Sequence, residues 1–152
     1  MQMAEVFAQT SEAIRLKVGC LLIKEGNIIS HGVNGMPPRW HTEECEDKIY
    51  SSHKKLKPNA EFPYVDENNF RYSLVTKPEC RHAEIVCLEK MWNSHTTTEN
   101  SIMIVTHLPC FSCSLKIKTA GVSKVYYKYP YRCGKGLQYL INNGIGVERE
   151  IL

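Results

Sequence analysis

Residues 82–113 read HAEIVCLEKMWNSHTTTENSIMIVTHLPCFSC, and the order of patterns within them decides the fold. From His82 to Trp92 the apolar Ile85, Leu88 and Trp92 recur at helical spacing. Ile102 to Thr106 is a short apolar run suited to a buried strand. Pro109 favours a helix start, and the pattern predicts a helix over Phe111–Ala120 that Gly121 stops.

Reading outward extends the alternation. Upstream, Val18–Ile23 and Ile28–His31 flank Glu25-Gly26-Asn27, which predicts a β-hairpin. Gly32–Pro38 is rich in turn formers. Val6, Ala13, Ile14 and Val18 predict a first helix ending near Arg15. Downstream come a strand at Lys124–Tyr127, a helix at Leu137–Asn143 closed by Gly144, and a last strand at Val147–Leu152. The expected fold is α/β: a single domain over 1–152, with a mixed five-stranded sheet and helices on both faces. From about Arg39 to Arg81 the periodicity dissolves into a polar stretch with Pro58, Pro63 and Pro78, an acidic Glu43–Asp47 and a basic Lys54–Lys57. That segment is expected to be a long loop insertion over one face of the core.

Bulk properties bound the function. A net charge of +3 suits an anionic small ligand and lacks the clustered charge of a typical nucleic-acid binder, so nucleic acid is not the expected partner. The amino terminus carries charges throughout, unlike a secretory segment, and no apolar run approaches a membrane span, so no membrane partner is expected. The seven cysteines are odd in number and follow no framework spacing, which argues for a reduced, cytoplasmic setting.

Two motifs carry chemistry: His82-Ala83-Glu84 and Pro109-Cys110-Phe111-Ser112-Cys113. A catalytic zinc takes three protein ligands and keeps a fourth position for water. His82, Cys110 and Cys113 supply three ligands, and Glu84 is free to act on the water. Residues two apart on a helix point roughly 200° apart, so His82 and Glu84 face one cavity only at a helix mouth. Cys110 and Cys113 fall at the next helix start, where the positive end of the dipole favours thiolates. Competing readings are a redox pair at Cys110 and Cys113, or a closed structural site that recruits Cys80 or His107. Glu84 alone reads as an ordinary first-turn acid. His41, Cys45, His53 and Cys80 offer a second, non-diagnostic set of zinc-ligand types.

The pair H-x-E and P-C-x-x-C, in this order, matches the zinc deaminase signature. With Val18–Pro37, Cys80–Glu84 and Leu108–Cys113, the chain resembles the zinc-dependent cytidine/deoxycytidylate deaminase superfamily, and within it the deoxycytidylate branch. The turn Gly32-Val33-Asn34-Gly35-Met36-Pro37 has Val33 where relatives carry Tyr, and the long insertion is typical of that branch. The resemblance implies an α/β/α fold and zinc-dependent hydrolysis of dCMP to dUMP and ammonia. It places zinc on His82, Cys110 and Cys113, with Glu84 moving protons between water, ring N3 and the departing amine. It puts the Ala83 amide on the base carbonyl and Asn34 at the sugar–phosphate side. Tyr131 and Arg132, with Lys128 and Lys135 as further cations, are expected near the 5′-phosphate. It also implies a homohexamer activated by dCTP and inhibited by dTTP, Mg2+ accompanying the triphosphate, with Lys24, Gly35 and Arg39 as effector contacts. The alternatives are a nucleoside deaminase and a single-stranded nucleic-acid deaminase acting on cytidine or tRNA adenosine; Tyr126–Arg132 offers aromatics for base stacking. A viral enzyme of this kind would work in the host cytosol.

Overall fold

The structure, a computed structural model, describes residues 1–42, 44–52 and 61–150. Helix α1 covers Gln2–Gln9 and is followed by the hairpin strands β1 (Gly19–Lys24) and β2 (Asn27–Val33). Glu25 and Gly26 both have positive φ, the two-residue turn that matches strand twist. Helix α1 does not reach Arg15. Thr10 hydroxyl caps Phe7 carbonyl, and Ser11 accepts the Ala13 amide while donating to Asn34 carbonyl, which draws the chain out of the helix. The buried face of α1 is Ala4 and Ala8, while Val6 and Ile14 are exposed. Small residues make this contact because the helix lies directly on the strand: a Cβ on Gly19 would meet Ala4 carbonyl and lie 2.8 Å from Ala8 nitrogen.

The expected loop over 39–81 carries three strands, β3 (Glu46–Tyr50), β4 (Tyr64–Val65) and β5 (Arg71–Thr76), in the antiparallel order β3-β5-β4. Most of their residues are exposed or half-buried, so no apolar alternation marks them in sequence. Cross-strand aromatics hold the sheet instead, with Tyr72 stacked on Tyr64 at 5.4 Å and tilted on Tyr50 at 5.7 Å. The basic run Lys54–Lys57, with His53 and Pro58, lies outside the described residues.

Helix α2 (Ala83–Glu89), β6 (Ile102–His107), α3 (Phe111–Thr119), β7 (Lys124–Tyr129), α4 (Lys135–Asn142) and β8 (Gly146–Arg149) complete the chain. The main sheet has the order β2-β1-β6-β7-β8, with β6, β7 and β8 parallel and β1 antiparallel to its neighbours. The expected mixed five-stranded α/β fold is therefore present. Cys20, Leu22, Met103, Val105 and Val125 project from the sheet into one core with Cys87, Leu88, Ile117 and Leu140 of α2, α3 and α4. Helix α1 covers the opposite face, beside Gly19. The buried stripe of α2 is Ala83, Cys87 and Leu88, continued by Met91; Trp92 lies past the helix end and is 79% exposed. Among the described residues no helix is long and apolar enough to cross a membrane.

Candidate active site

The carboxyl ends of β6 and β7 and the amino ends of α2 and α3 meet around one cavity of about 790 Å³, where open α/β sheets place their ligands. His82 is the N-cap of α2, with extended backbone (φ −75°, ψ 151°), and Cys110 is the N-cap of α3 in the same conformation (φ −69°, ψ 168°). Each mouth is braced. Arg81 and Gly35 exchange backbone hydrogen bonds of 2.9 and 3.1 Å, fixing the residue before His82 to the exit of β2. Ser114 hydroxyl donates to Cys110 carbonyl at 2.9 Å. At Gly136 a Cβ would collide with Pro109 carbonyl, so only glycine lets α4 lie against this turn.

His82 Nδ1 stands 3.4 Å from Cys110 Sγ and 3.3 Å from Cys113 Sγ, and ligand atoms of the three residues all lie within 4.8 Å of one another. One imidazole and two sulfurs at this spacing fit a tetrahedral zinc with a fourth position left over. Among the described residues no other set of three His, Cys, Asp or Glu gathers this way. Cys80 packs with Cys45 and Ala13 in a small separate cluster, so Cys80 and His107 do not close the site. His41 does not join Cys45 and Cys80 as a metal-type group; His53 is not among the described residues.

The Cys113 thiol donates to Cys110 and holds Cys110 down at about 3, while that same bond, together with burial, pushes Cys113 up. Hydrogen bonding to Cys110 raises His82 against the opposing effect of burial. Glu84 is 4% exposed on the first turn of α2 and lines the same cavity. Burial raises its carboxyl above the ordinary range, so it takes up a proton more readily than a surface glutamate. The arrangement unites a metal-type triad with a buried carboxyl.

Asn34, Ala83, Tyr131 and Arg132 all line this cavity. Asn34 Oδ1 accepts the Val18 amide at 2.7 Å and its Nδ2 donates to Leu16 carbonyl at 2.7 Å, so the side chain also fastens the approach to β1. Arg132 lies over the Tyr131 ring, 5.6 Å from its centroid. Lys128, expected near the phosphate, is instead paired with Glu5 of α1 at 2.7 Å, because alternation along β7 turns it away from buried Val125 and Tyr127. Lys135, exposed on the first turn of α4, is not a lining residue. Lys24, Gly35 and Arg39 are spread out: Lys24 pairs with Asn27 at the far end of the hairpin and bonds Thr97 carbonyl, whereas Gly35 is bridged to Arg81. Arg39 is exposed with a positive φ.

Sequence reasoning missed Arg15, Thr76 and Tyr129, which also line the cavity, and weighed His107, another lining residue, only as a structural-zinc ligand. Thr106 hydroxyl accepts the Gly19 amide at 3.2 Å and is hydrogen-bonded to His107 Nδ1 at 3.0 Å. Burial lowers His107, favouring the neutral ring, which tilts on Tyr129 at 5.0 Å. Its position between a strand and Leu108-Pro109-Cys110 was the available signal.

The chain is similar to known proteins along its length. It is 29% identical over 150 residues to the deoxycytidylate deaminase of Saccharomyces cerevisiae, covering 98% of this chain and 43% of the yeast protein. The deoxycytidylate deaminase of Enterobacteria phage T2 is 26% identical over 165 residues, covering 97% of this chain and 87% of its own. The crystal structure of dCMP deaminase from cyanophage S-TIM5, in complex with dCMP and dUMP, superposes with a TM-score of 0.77 at 36% identity, over 98% of this chain and 92% of that one. Residues 1–129, which contain the whole triad and Glu84, match the cytidine and deoxycytidylate deaminase zinc-binding region, and the chain belongs to that family.

Proposed function

We propose that this protein hydrolyses dCMP to dUMP and ammonia. The observation that carries the reading is the buried Glu84 carboxyl in one cavity with the His82–Cys110–Cys113 triad and with Tyr131 and Arg132. The similarity to enzymes named for dCMP favours the nucleotide over a nucleoside or a polynucleotide.

His82, Cys110 and Cys113 would hold zinc, which when bound acidifies a water molecule so that it attacks near neutral pH. Glu84 accepts the proton that water gives up as the new C4–O bond forms, and delivers it to ring N3. It then carries the second proton to the exocyclic nitrogen as the C4–N bond breaks and ammonia leaves. The Ala83 amide is at the first position of α2, where it has no intrahelical acceptor, and donates to the base carbonyl. Asn34 and Tyr131 contact the sugar and phosphate side, and Arg132 supplies charge to the phosphate.

The regulatory part of the reading is a homohexamer activated by dCTP and inhibited by dTTP, with Mg2+ on the triphosphate. Because Lys24 and Gly35 sit at opposite ends of the hairpin, an effector touching Lys24, Gly35 and Arg39 together bridges two copies of the chain. The seven free thiols fit a reducing, cytoplasmic setting.

The test is ammonia release from zinc-loaded protein given dCMP, deoxycytidine, dCTP and a short single-stranded DNA in parallel. Turnover of dCMP far above the others supports the reading. Equal turnover of deoxycytidine, or activity on the oligonucleotide with dCMP inert, overturns the choice of substrate. The regulatory part fails if neither triphosphate changes the dCMP rate curve.

A further inference from the structure

Glu46 is a carboxylate that the proposed reaction does not use, and it is only 7% exposed. At the start of β3, its Oε1 accepts the amides of Ile14 and Arg15 at 3.1 Å each, and its Oε2 accepts Ile14 at 3.2 Å. Those amides belong to the irregular connector between α1 and β1. The Arg15 side chain reaches across to β5, where its guanidinium donates to Thr76 hydroxyl at 3.1 Å. Arg15, Glu46 and Thr76 all line the cavity that holds Glu84 and Arg132.

The charges are unevenly matched. Glu46 is occupied by backbone donors, which blunts its repulsion of an anion. Arg15 forms no ion pair among the described residues, and Thr76 uses one of its five N–H donors. An exposed guanidinium oriented by one hydrogen bond, with donors to spare, suits the planar, two-point recognition of a phosphate. Since Glu46 bonds the backbone of Arg15 and not its side chain, it acts by position.

We infer that the insertion sets the requirement for a nucleotide: Glu46 positions Arg15, and Arg15, braced by Thr76, grips the 5′-phosphate together with Arg132. This rests on the dCMP reading. Glu46 is thus a positioning residue, and Arg15 is the group that touches substrate.

The test compares wild type, Arg15→Gln, Glu46→Gln and the double variant on dCMP and deoxycytidine, with inorganic phosphate as competitor and thermal melting to verify folding. Arg15→Gln should raise KM for dCMP by about ten- to a hundredfold, with kcat much less affected, and weaken phosphate competition in parallel. Glu46→Gln should reproduce that pattern, and the double variant should be no worse than Arg15→Gln alone, because both changes act through one guanidinium. Equal losses on dCMP and deoxycytidine in Glu46→Gln, or fully additive losses in the double variant, overturn the positioning role. A wild type that does not prefer dCMP defeats the substrate reading itself. A wild type that prefers dCMP, with single variants that keep the same preference, defeats this inference alone.

Discussion

The Nδ1 atom of His82 lies 3.3 Å from the Sγ atom of Cys113, a residue 31 positions further along the chain. The contact exists because two helices, separated in sequence by β6, open onto the same edge of the sheet. Metal affinity is therefore a property of the fold as much as of the ligands.

His82→Ala and Cys110→Ala should each lose bound zinc and activity together, and should melt at lower temperature than zinc-loaded wild type. Cys45→Ala and Cys80→Ala, outside the triad, should keep the metal. Elemental analysis of dialysed protein checks both; zinc retained by His82→Ala would remove that residue from the site.

Glu84→Ala should retain zinc and fold but lose about 10²–10⁴-fold in kcat, the usual contribution of a positioned acid–base group. Steady-state kinetics alongside metal content measures this. A variant with wild-type turnover would remove Glu84 from the proton path.

Helix α1 is tied to β7 by Glu5 and Lys128. Lys128 lowers the Glu5 carboxyl below its ordinary range, and Glu5 raises the Lys128 ammonium above its own. A lowered carboxyl contributes stability above its unfolded value and loses it as pH falls; a raised ammonium contributes below its unfolded value and loses it as pH rises. The tie therefore acts fully between about pH 4.3 and 10.4. Lys128→Ala should lower Tm slightly at pH 7 and not at all at pH 2, with KM for dCMP unchanged. A large rise in KM would return Lys128 to the phosphate site.

Gly32 on β2 faces α2, and a Cβ there would collide with Ala83 carbonyl and lie 2.6 Å from Cys87 nitrogen. Gly32→Ala should cost about 1–3 kcal/mol as the helix is pushed off the sheet. That corresponds to roughly 2–4 °C in Tm for each kcal/mol at this chain length. It should also depress kcat, because His82 and Glu84 move with the helix. Calorimetry and kinetics on one preparation report both; an unchanged Tm refutes the close packing.

The legible parts of this protein were those fixed by short-range chemistry. His82 and Glu84 cannot share a cavity from within a regular helix, so their spacing marked a helix mouth, and Pro109 marked the second. Strands β1 and β6, at the centre of the main sheet, showed as apolar runs because they are buried or half-buried throughout. Val6 and Ile14 suggest a longer helix α1, but both are exposed and the contact is made by Ala4 and Ala8 against Gly19. Strands β3–β5 were missed because exposure on both sides erases alternation. The contact of Glu46 with Arg15 spans 31 positions and that of Arg15 with Thr76 spans 61, so neither leaves a local pattern.

Glu84 and the triad stand on helices of the large sheet, whereas Glu46, Val75 and Thr76 reach the cavity from the small one. Substitutions in β3 and β5 should therefore change which molecule enters, read as KM, more than the rate of the reacting groups, read as kcat.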